Sequence, residues 1–423
     1  MKIALVTELF PPSFGGQEIR FQEFAEEFAR LGHAVDVFTI DHIGKLPAEE
    51  IINRVRIFRT YRDANYYKKG FLGRPVRSIL GFTWSLLGRL KGYDGIVYNQ
   101  FPVLPSLLSR WMVSRGTVRV LDFVEYRLSL LWRVINWLLL RTVYHVVCIS
   151  GSVQALVAAN LGRDDSLSVI PSSVFTSRFS SNGKQHMVFL GRLEPHKHPE
   201  HAIAAVLAFN RIYNKAAEIH LVGGGGMLAE LKARHAQDRN VVFHGFVSDA
   251  QKLAVLAKAR IFILPSEREG LPKTIIECMA CGVPTVTTDY PQNGGKDFVR
   301  STGVGVVAKP EPEALAKAIA EIEHNYAGFE ARCLELLPDY DVPANARRYL
   351  SYLTSRRLRP LSSGVPPAPR PTQASSVRVV ARPGTAVTPL AVDEPSPDDS
   401  PSPVQPPGVH RQRAGKGWEA ADL

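Results

Sequence analysis

Cysteine is scarce in this chain. Its 423 residues hold four, Cys148, Cys278, Cys281 and Cys333. That is too few for a disulfide framework, so a reducing compartment, the cytoplasm, is the expected location. Cys278 and Cys281 form a C-x-x-C, but neither further ligands nor a thioredoxin-like context surrounds it. Both therefore read as small apolar side chains packed under a helix rather than as a zinc or redox pair. A secretory leader is not expected either, because "MKIALVTELFPP" passes from Met1 straight into a strand-like apolar run with no cleavage site after it. Residues 127–148 are long enough to cross a bilayer, but Arg133, Asn136 and Arg141 interrupt them. Each interior Arg costs roughly 2.5–3.5 kcal/mol on insertion, so no transmembrane helix is expected. The glycine loop "HLVGGGG" lacks the G-x-G-x-x-G context of a dinucleotide site, which argues against a nicotinamide enzyme.

Acidic residues are missing from one region in particular. Residues 59–141 carry fourteen Lys/Arg against four acids (Asp63, Asp94, Asp122, Glu125), an excess of 10 in a chain whose net charge is +11. Such a region attracts phosphates: lipid headgroups, nucleic acid or a phosphorylated substrate. Within it, residues 68–93 interleave Lys/Arg with Phe, Leu, Ile and Trp. This pattern fits a helix lying on an anionic membrane surface, and equally an amphipathic helix packed on a sheet. The last segment, 360–423, has a single aromatic, Trp418, and holds thirteen of the thirty prolines. It cannot bury enough apolar surface to offset its ordering entropy and is expected to be a disordered tail.

What is present is a βα alternation. "KIALVTEL", "HAVDVFTI", "GIVYNQ", "VRVLDFV" and "HVVCIS" read as strands separated by helices, and a second series starts near "HMVFLGRLE". Near-continuous apolar strands of this kind predict doubly wound parallel sheets with helices on both faces. The expected division is a first domain over 1–170, a Ser-rich linker over 171–185, a second domain over 186–337, a helical segment over 338–359 and the tail over 360–423.

The chemistry concentrates in "PSEREGLPKTIIECMACGVPTV", residues 265–286. A strand ends before it, and a helix is predicted to begin at Pro272, a residue suited to the first helical position. The free amides and dipole of that helix start form an anion site, and Gly270 allows close backbone approach. Glu269 stands at the lip of the site and Glu277 within the helix. The pair can reach opposite ends of one ligand with a phosphate between them, which is the layout of a nucleotide sugar. Arg192 and Lys197, in "FLGRLEPHKHPE", supply the cations that would neutralise a departing diphosphate. The neighbouring His196 and His198 read as structural.

Taken in order, "LFPPSFGGQE", "FLGRLEPHK", "HLVGGGG" and the 265–286 segment resemble the retaining GT-B glycosyltransferases of family four. The resemblance spans roughly residues 1–355. It implies two Rossmann-like domains, an NDP-sugar donor, retention of configuration, and no metal or other cofactor. Glu269 and Glu277 match the E-x7-E motif, the first on the donor sugar and the second on the ribose. Arg192 and Lys197 match the diphosphate cations, and Gly270 and Leu271 the backbone phosphate contact. Gly15 and Gly16 match the first-domain glycine loop, and Phe246 and Val247 the segment beside the base. One departure stands out. Where many members carry a histidine in the first domain, this chain has Val124 followed by Glu125. Glu125, Tyr126 or Asp122 is then the candidate replacement. Asp339 and Asp341 form the only D-x-D and lie away from the site, so no metal is expected there. Apart from the resemblance, the charge and apolarity of the first domain suggest a glycan or lipid-linked acceptor, and residues 68–93 suggest peripheral attachment to an anionic membrane. Two other readings stay open: a non-catalytic NDP-sugar binder, prompted by Val124, and an NDP-sugar epimerase, for which no acid–base set is visible. Nucleic acid would explain the charge but not the glutamates.

Overall fold

A computed structural model of the chain describes residues 1–13, 15–66, 75–125, 130–161 and 166–354. Tyr126, residues 68–74 and the expected tail at 360–423 lie outside them. The first half contains strands β1 (Lys2–Val6), β2 (Ala34–Asp41), β3 (Glu49–Ile52), β4 (Val55–Arg62), β5 (Gly95–Asn99), β6 (Val118–Phe123), β7 (His145–Cys148) and β8 (Leu167–Val169). Between them run α1 (Gly16–Arg30), α2 (Val76–Ser85), α3 (Val103–Met112), α4 (Leu130–Leu140) and α5 (Gly151–Leu161). The sheet order is β3-β4-β2-β1-β5-β6-β7-β8. Every pair is parallel except β3 with β4.

The second half repeats the plan with β9 (His186–Leu190), β10 (Ile219–Val222), β11 (Val241–Gly245), β12 (Ala259–Leu264), β13 (Thr285–Thr288) and β14 (Gly305–Ala308). Its helices are α6 (Pro199–Tyr213), α7 (Leu228–Arg234), α8 (Asp249–Ala257), α9 (Lys273–Ala280), α10 (Gly294–Thr302), α11 (Pro312–His324) and α12 (Tyr326–Leu336), followed by α13 (Val342–Thr354). This sheet is parallel throughout, in the order β11-β10-β9-β12-β13-β14. Leaving out β3, both sheets have the Rossmann order, which reverses between β1 and β5 and again between β9 and β12. Ligands of such sheets bind beyond the carboxyl ends of the strands at these reversals.

The sequence expectation of two doubly wound sheets is met, with one local difference. The β3–β4 hairpin is absent from the sequence reading. Its two-residue turn is Asn53-Arg54, both with positive φ (48° and 68°), a backbone usually signalled by Asn-Gly. The last helix packs on the first half. Val342, Ala346, Tyr349 and Leu353 of α13 pack with Phe21, Phe24 and Phe28 of α1 on one face of the first sheet. Phe82, Leu86, Met112, Leu139 and Val157 cover the other face.

The two crossings between the halves run side by side. Val174 bridges to Asp341, whose carboxylate accepts from Thr176 N (3.2 Å) and Oγ1 (2.9 Å). Asn345 Nδ2 donates to Ser173 Oγ at 2.9 Å and to the Asp339 carbonyl at 2.8 Å. The D-x-D is thus part of the crossing. All four cysteines are free and buried. Burial pushes the Cys281 thiol up to about 11 and Cys278 up as well, so both thiols are protonated core groups, as their sequence context suggests.

His145 and His186 are buried at the edges of the two cores, and burial pushes each from 6.5 down to about 4. The unfolded chain therefore binds protons at these sites between pH 6.5 and 4 that the folded chain refuses. Stability should hold above that window, fall as pH drops through it and level off below. Urea midpoints measured at intervals from neutral pH to pH 4 check this, and conversion of both histidines to Gln should flatten the slope.

Candidate active site

Strands β9 and β12 are neighbours, so the loops that follow them leave the sheet together at its reversal. The first loop carries Arg192 and then a 3-10 turn over Pro195–Lys197. Glu267 N donates to the His196 carbonyl at 2.9 Å, clamping that turn to the loop after β12. The clamp brings Lys197 Nζ onto the Glu269 carboxylate as an ion pair, with the side chains 17% and 10% exposed. Arg192 beside them is exposed and has no carboxylate partner among the described residues. Two of the residues assigned to separate parts of a ligand thus form one charge pair, and Arg192 is left as the open cation.

The backbone at Glu269 is held by the loop after β13. Glu269 N donates to Gln292 O at 3.1 Å, and Gly294 N donates to Glu269 O at 2.9 Å. A Cβ on Gly294 would stand 2.5 Å from the Gly270 carbonyl, so only glycine permits this approach. Asn293, fully buried, caps α10 by accepting from Gly295 N at 3.0 Å and donates to Thr288 O at 2.8 Å.

Helix α9 begins at Lys273. Pro272 is its N-cap, with extended backbone (ψ 120°) and no side-chain cap, one residue short of the sequence expectation. Its buried stripe of Ile275, Ile276, Cys278 and Met279 fixes it on the sheet, so its uncapped amides point to the same end as Glu269. A lysine in the first helical turn opposes the helix dipole. Here Lys273 Nζ donates to both oxygens of Glu23, at 2.5 and 2.6 Å, across from α1 of the first half. Burial raises the Glu23 carboxyl above its ordinary value, with Lys273 opposing and Glu277 adding to the rise. Glu277 is buried and accepts from Lys252 Nζ at 2.9 Å. Burial alone would lower Lys252, but the carboxylates of Glu277 and Asp249 overcome it and raise the ammonium.

The remaining predicted residues are placed as follows. Gly15 is the extended N-cap of α1 and Gly16 its first residue. A Cβ on Gly15 would meet the Glu18 carboxylate at 2.1 Å, whereas Gly16 opens onto free space. Gly16 and Glu23 lie seven residues apart on α1 and so share a face about 10 Å long. In "HLVGGGG", Gly223 and Gly225 have φ of 137° and 153°, and their Cβ positions would fall 1.9 Å from Gly191 O and 2.4 Å from Leu193 O. These two glycines therefore admit the close approach of the Arg192 loop. Phe246 is 89% exposed beside Gly224, and Val247 packs against the core beneath β12. Leu271 is half-buried against Val174 and Ile276, and nothing crowds Gly270.

Glu125 is exposed after β6, and Gln100 fixes its backbone, accepting from Val124 N and Glu125 N at 3.1 and 2.9 Å. Asp122 is not a replacement for the missing histidine. It is buried against Arg20 (3.0 Å) and the Tyr349 hydroxyl (3.1 Å).

Glu23, Lys273 and Lys252 were not found by sequence reasoning. Lys273 had a signal, since its unfavourable place at a helix start demands an acid from elsewhere. Glu23 had none, because its partner is 250 residues away. His198, Glu200 and His201 are the one group among the described residues with metal-like spacing, within 4.8 Å of one another. His198 bonds Glu200 at 3.0 Å and stacks on Tyr290, which makes it a clasp for the Lys197 turn.

Comparison with known proteins gives the family and the fold. The family described as "Glycosyltransferase Family 4" matches residues 14–178, and "Glycosyl transferases group 1" matches 175–334. A GDP-mannose-dependent alpha-(1-6)-phosphatidylinositol dimannoside mannosyltransferase of Mycobacterium tuberculosis is 29% identical, over 79% of this chain and 90% of its own. Among solved structures, a sucrose-phosphate synthase from Thermosynechococcus elongatus superposes with a TM-score of 0.63 at 18% identity, covering 83% of this chain and 97% of its own. Anabaena HepE in complex with UDP and glucose gives 0.60 at 17%, covering 84% and 99%. At these identities the structures speak for the fold alone.

Proposed function

Because this chain belongs to the GT-B glycosyltransferases of family four, we propose that it moves a hexose from a nucleoside-diphosphate sugar to a glycan or lipid-linked hydroxyl, with retention. The observation that supports this most directly is the junction of Arg192, Lys197 and Glu269 at the sheet reversal, beside the uncapped start of α9. The mycobacterial relative is GDP-mannose dependent and HepE was crystallised with UDP and glucose, which supports the donor class and leaves the base open.

In the proposed reaction the bond between the anomeric carbon and the diphosphate oxygen breaks, and both electrons leave with the nucleoside diphosphate. Arg192, Lys197 and the α9 amides take up that charge where it develops. The acceptor hydroxyl attacks from the face the diphosphate vacates, and its proton passes to a diphosphate oxygen. Glu269 holds the sugar hydroxyls when the diphosphate draws Lys197 from it, and Glu277 shares the ribose with Lys252. No divalent metal is assigned a part, so turnover should persist in EDTA.

The test is nucleoside diphosphate release from a panel of UDP-, GDP- and ADP-sugars, with and without a membrane lipid extract. Release with one donor, lost in Glu269→Ala, is the expected result. Saturable donor binding with no release under any condition would favour the non-catalytic reading. Phe246 is proposed to face the base. Phe246→Ala should raise the donor KM about tenfold or more, since stacking contributes roughly 1–3 kcal/mol per base. kcat should change little, as for lost uniform binding.

A further inference from the structure

The helices α2, α3 and α4 lie side by side on one face of the first sheet, over the core that includes Phe82, Met112 and Leu139. Each buries one apolar stripe there, so the outer faces should be polar. They are not. Leu80 and Trp84 of α2 are 54% and 77% exposed, Trp111 of α3 is 75% exposed, and Val134, Trp137 and Leu138 of α4 are exposed as well. Within α2 and within α4, spacings of three or four residues put the set on one outward stripe. Helices packed at roughly 8–10 Å make the three outer faces a continuous band about 20 Å across. Soluble surfaces rarely leave such a band uncovered.

The charge carried by the three helices has one sign. None of the three helices contains an Asp or Glu, while Arg77, Arg110, Arg133 and Arg141 stand exposed among the apolar residues. The Arg141 guanidinium lies 4.0 Å from the centre of the Trp137 ring, the pairing of an amphipathic ring and a cation found at headgroup depth. No helix among the described residues is long and apolar enough to cross a membrane.

We propose that this three-helix face docks on an anionic lipid bilayer, with the tryptophans at the headgroup–acyl boundary and the arginines on lipid phosphates. A protein partner matched to the band would need an acidic rim around an apolar centre. A bilayer containing anionic lipid offers both at once and tolerates the curvature of three helices. The two readings of 68–93 are therefore both part of the answer for its described portion: α2 packs on the sheet by one side and presents the other. The docking face extends to α3 and α4, well beyond that segment. It does not depend on the transferase reading.

The full chain should float with vesicles of phosphatidylcholine doped with phosphatidylglycerol, and not with phosphatidylcholine alone. Tryptophan emission should shift to the blue on binding, and salt should weaken it. Trp84→Ser/Trp111→Ser should weaken vesicle binding at least about tenfold, the equivalent of roughly 1.4 kcal/mol. Its circular dichroism and its donor release without lipid should be unchanged. Arg77→Gln/Arg110→Gln/Arg133→Gln, which leaves the apolar band intact, should remove most of the preference for anionic vesicles. The proposal is overturned by absence of flotation at low salt, by equal flotation with both vesicle types, by binding that neither variant weakens, or by a concentration-dependent dimer that the tryptophan variant dissociates. Donor release measured on the same samples separates failure of docking from failure of the transferase reading.

Discussion

Arg192→Ala/Lys197→Ala should slow donor turnover by at least about a thousandfold. Removal of one donor to a developing oxyanion commonly costs 10²–10³ in kcat, and these are two cations on one leaving group. The loss should fall on kcat more than on KM, because the diphosphate carries more charge as it leaves than when bound. Both positions are on a loop and Arg192 is exposed, so the fold should survive. The single variants should not add up. Lys197→Ala strands the Glu269 carboxylate with which it pairs, and Glu269→Gln in the same chain should recover part of the donor affinity. Steady-state kinetics on the four forms of that cycle measure the coupling. Normal turnover in the double cation variant would remove the diphosphate assignment.

The second large effect is on stability and is far from the chemistry. Arg20→Met should destabilise the chain by about 3–5 kcal/mol, the usual result of leaving one partner of a buried pair uncompensated. Arg20 and Asp122 are buried at 4% and 0% exposure. The guanidinium also donates to the carbonyls of Ile170 (2.9 Å) and Pro171 (2.7 Å), and Tyr349 of α13 binds the same carboxylate. One side chain therefore ties α1, β6, the start of the crossing and the returning helix together. At about 2 cal/mol/K of unfolding entropy per residue, a folded body of about 350 residues would then melt roughly 4–7 °C lower. Arg20→Met/Asp122→Leu should restore much of it, since an apolar pair of similar volume avoids the stranded charge. Calorimetry on the single and double variants decides. Equal melting points for wild type and Arg20→Met would mean that the buried pair contributes nothing.

The sequence was most legible where local chemistry and burial agree. Apolar runs such as "KIALV" and "HVVC" can only be strands covered on both faces, and their alternation with amphipathic helices leaves little choice but doubly wound parallel sheets. The turn into α9 was legible for the same reason: strand, glycine, proline and helix are consecutive, so their geometry is set by neighbours in the chain. The β3–β4 hairpin was hidden because its turn residues, Asn53 and Arg54, adopt positive φ without the glycine that usually announces it. The packing role of the glycines in "HLVGGGG" was hidden because a sequence cannot show that another loop's backbone lies against them.

By itself, then, the sequence determined the two sheets, the loops that carry Arg192, Lys197 and Glu269, and the excess of cations in the first half. Tertiary structure alone decided which charges meet. It set Lys197 against Glu269 rather than apart from it, joined Lys273 to Glu23, withdrew Asp122 into a buried pair, returned α13 to the first sheet, and aligned three tryptophans from three helices on one face. The physical reason is range. Propensity, capping and strand patterning act over a few residues and are written locally. A charge pair or a shared surface depends on strand order and helix packing, which bring together residues as far apart as Glu23 and Lys273.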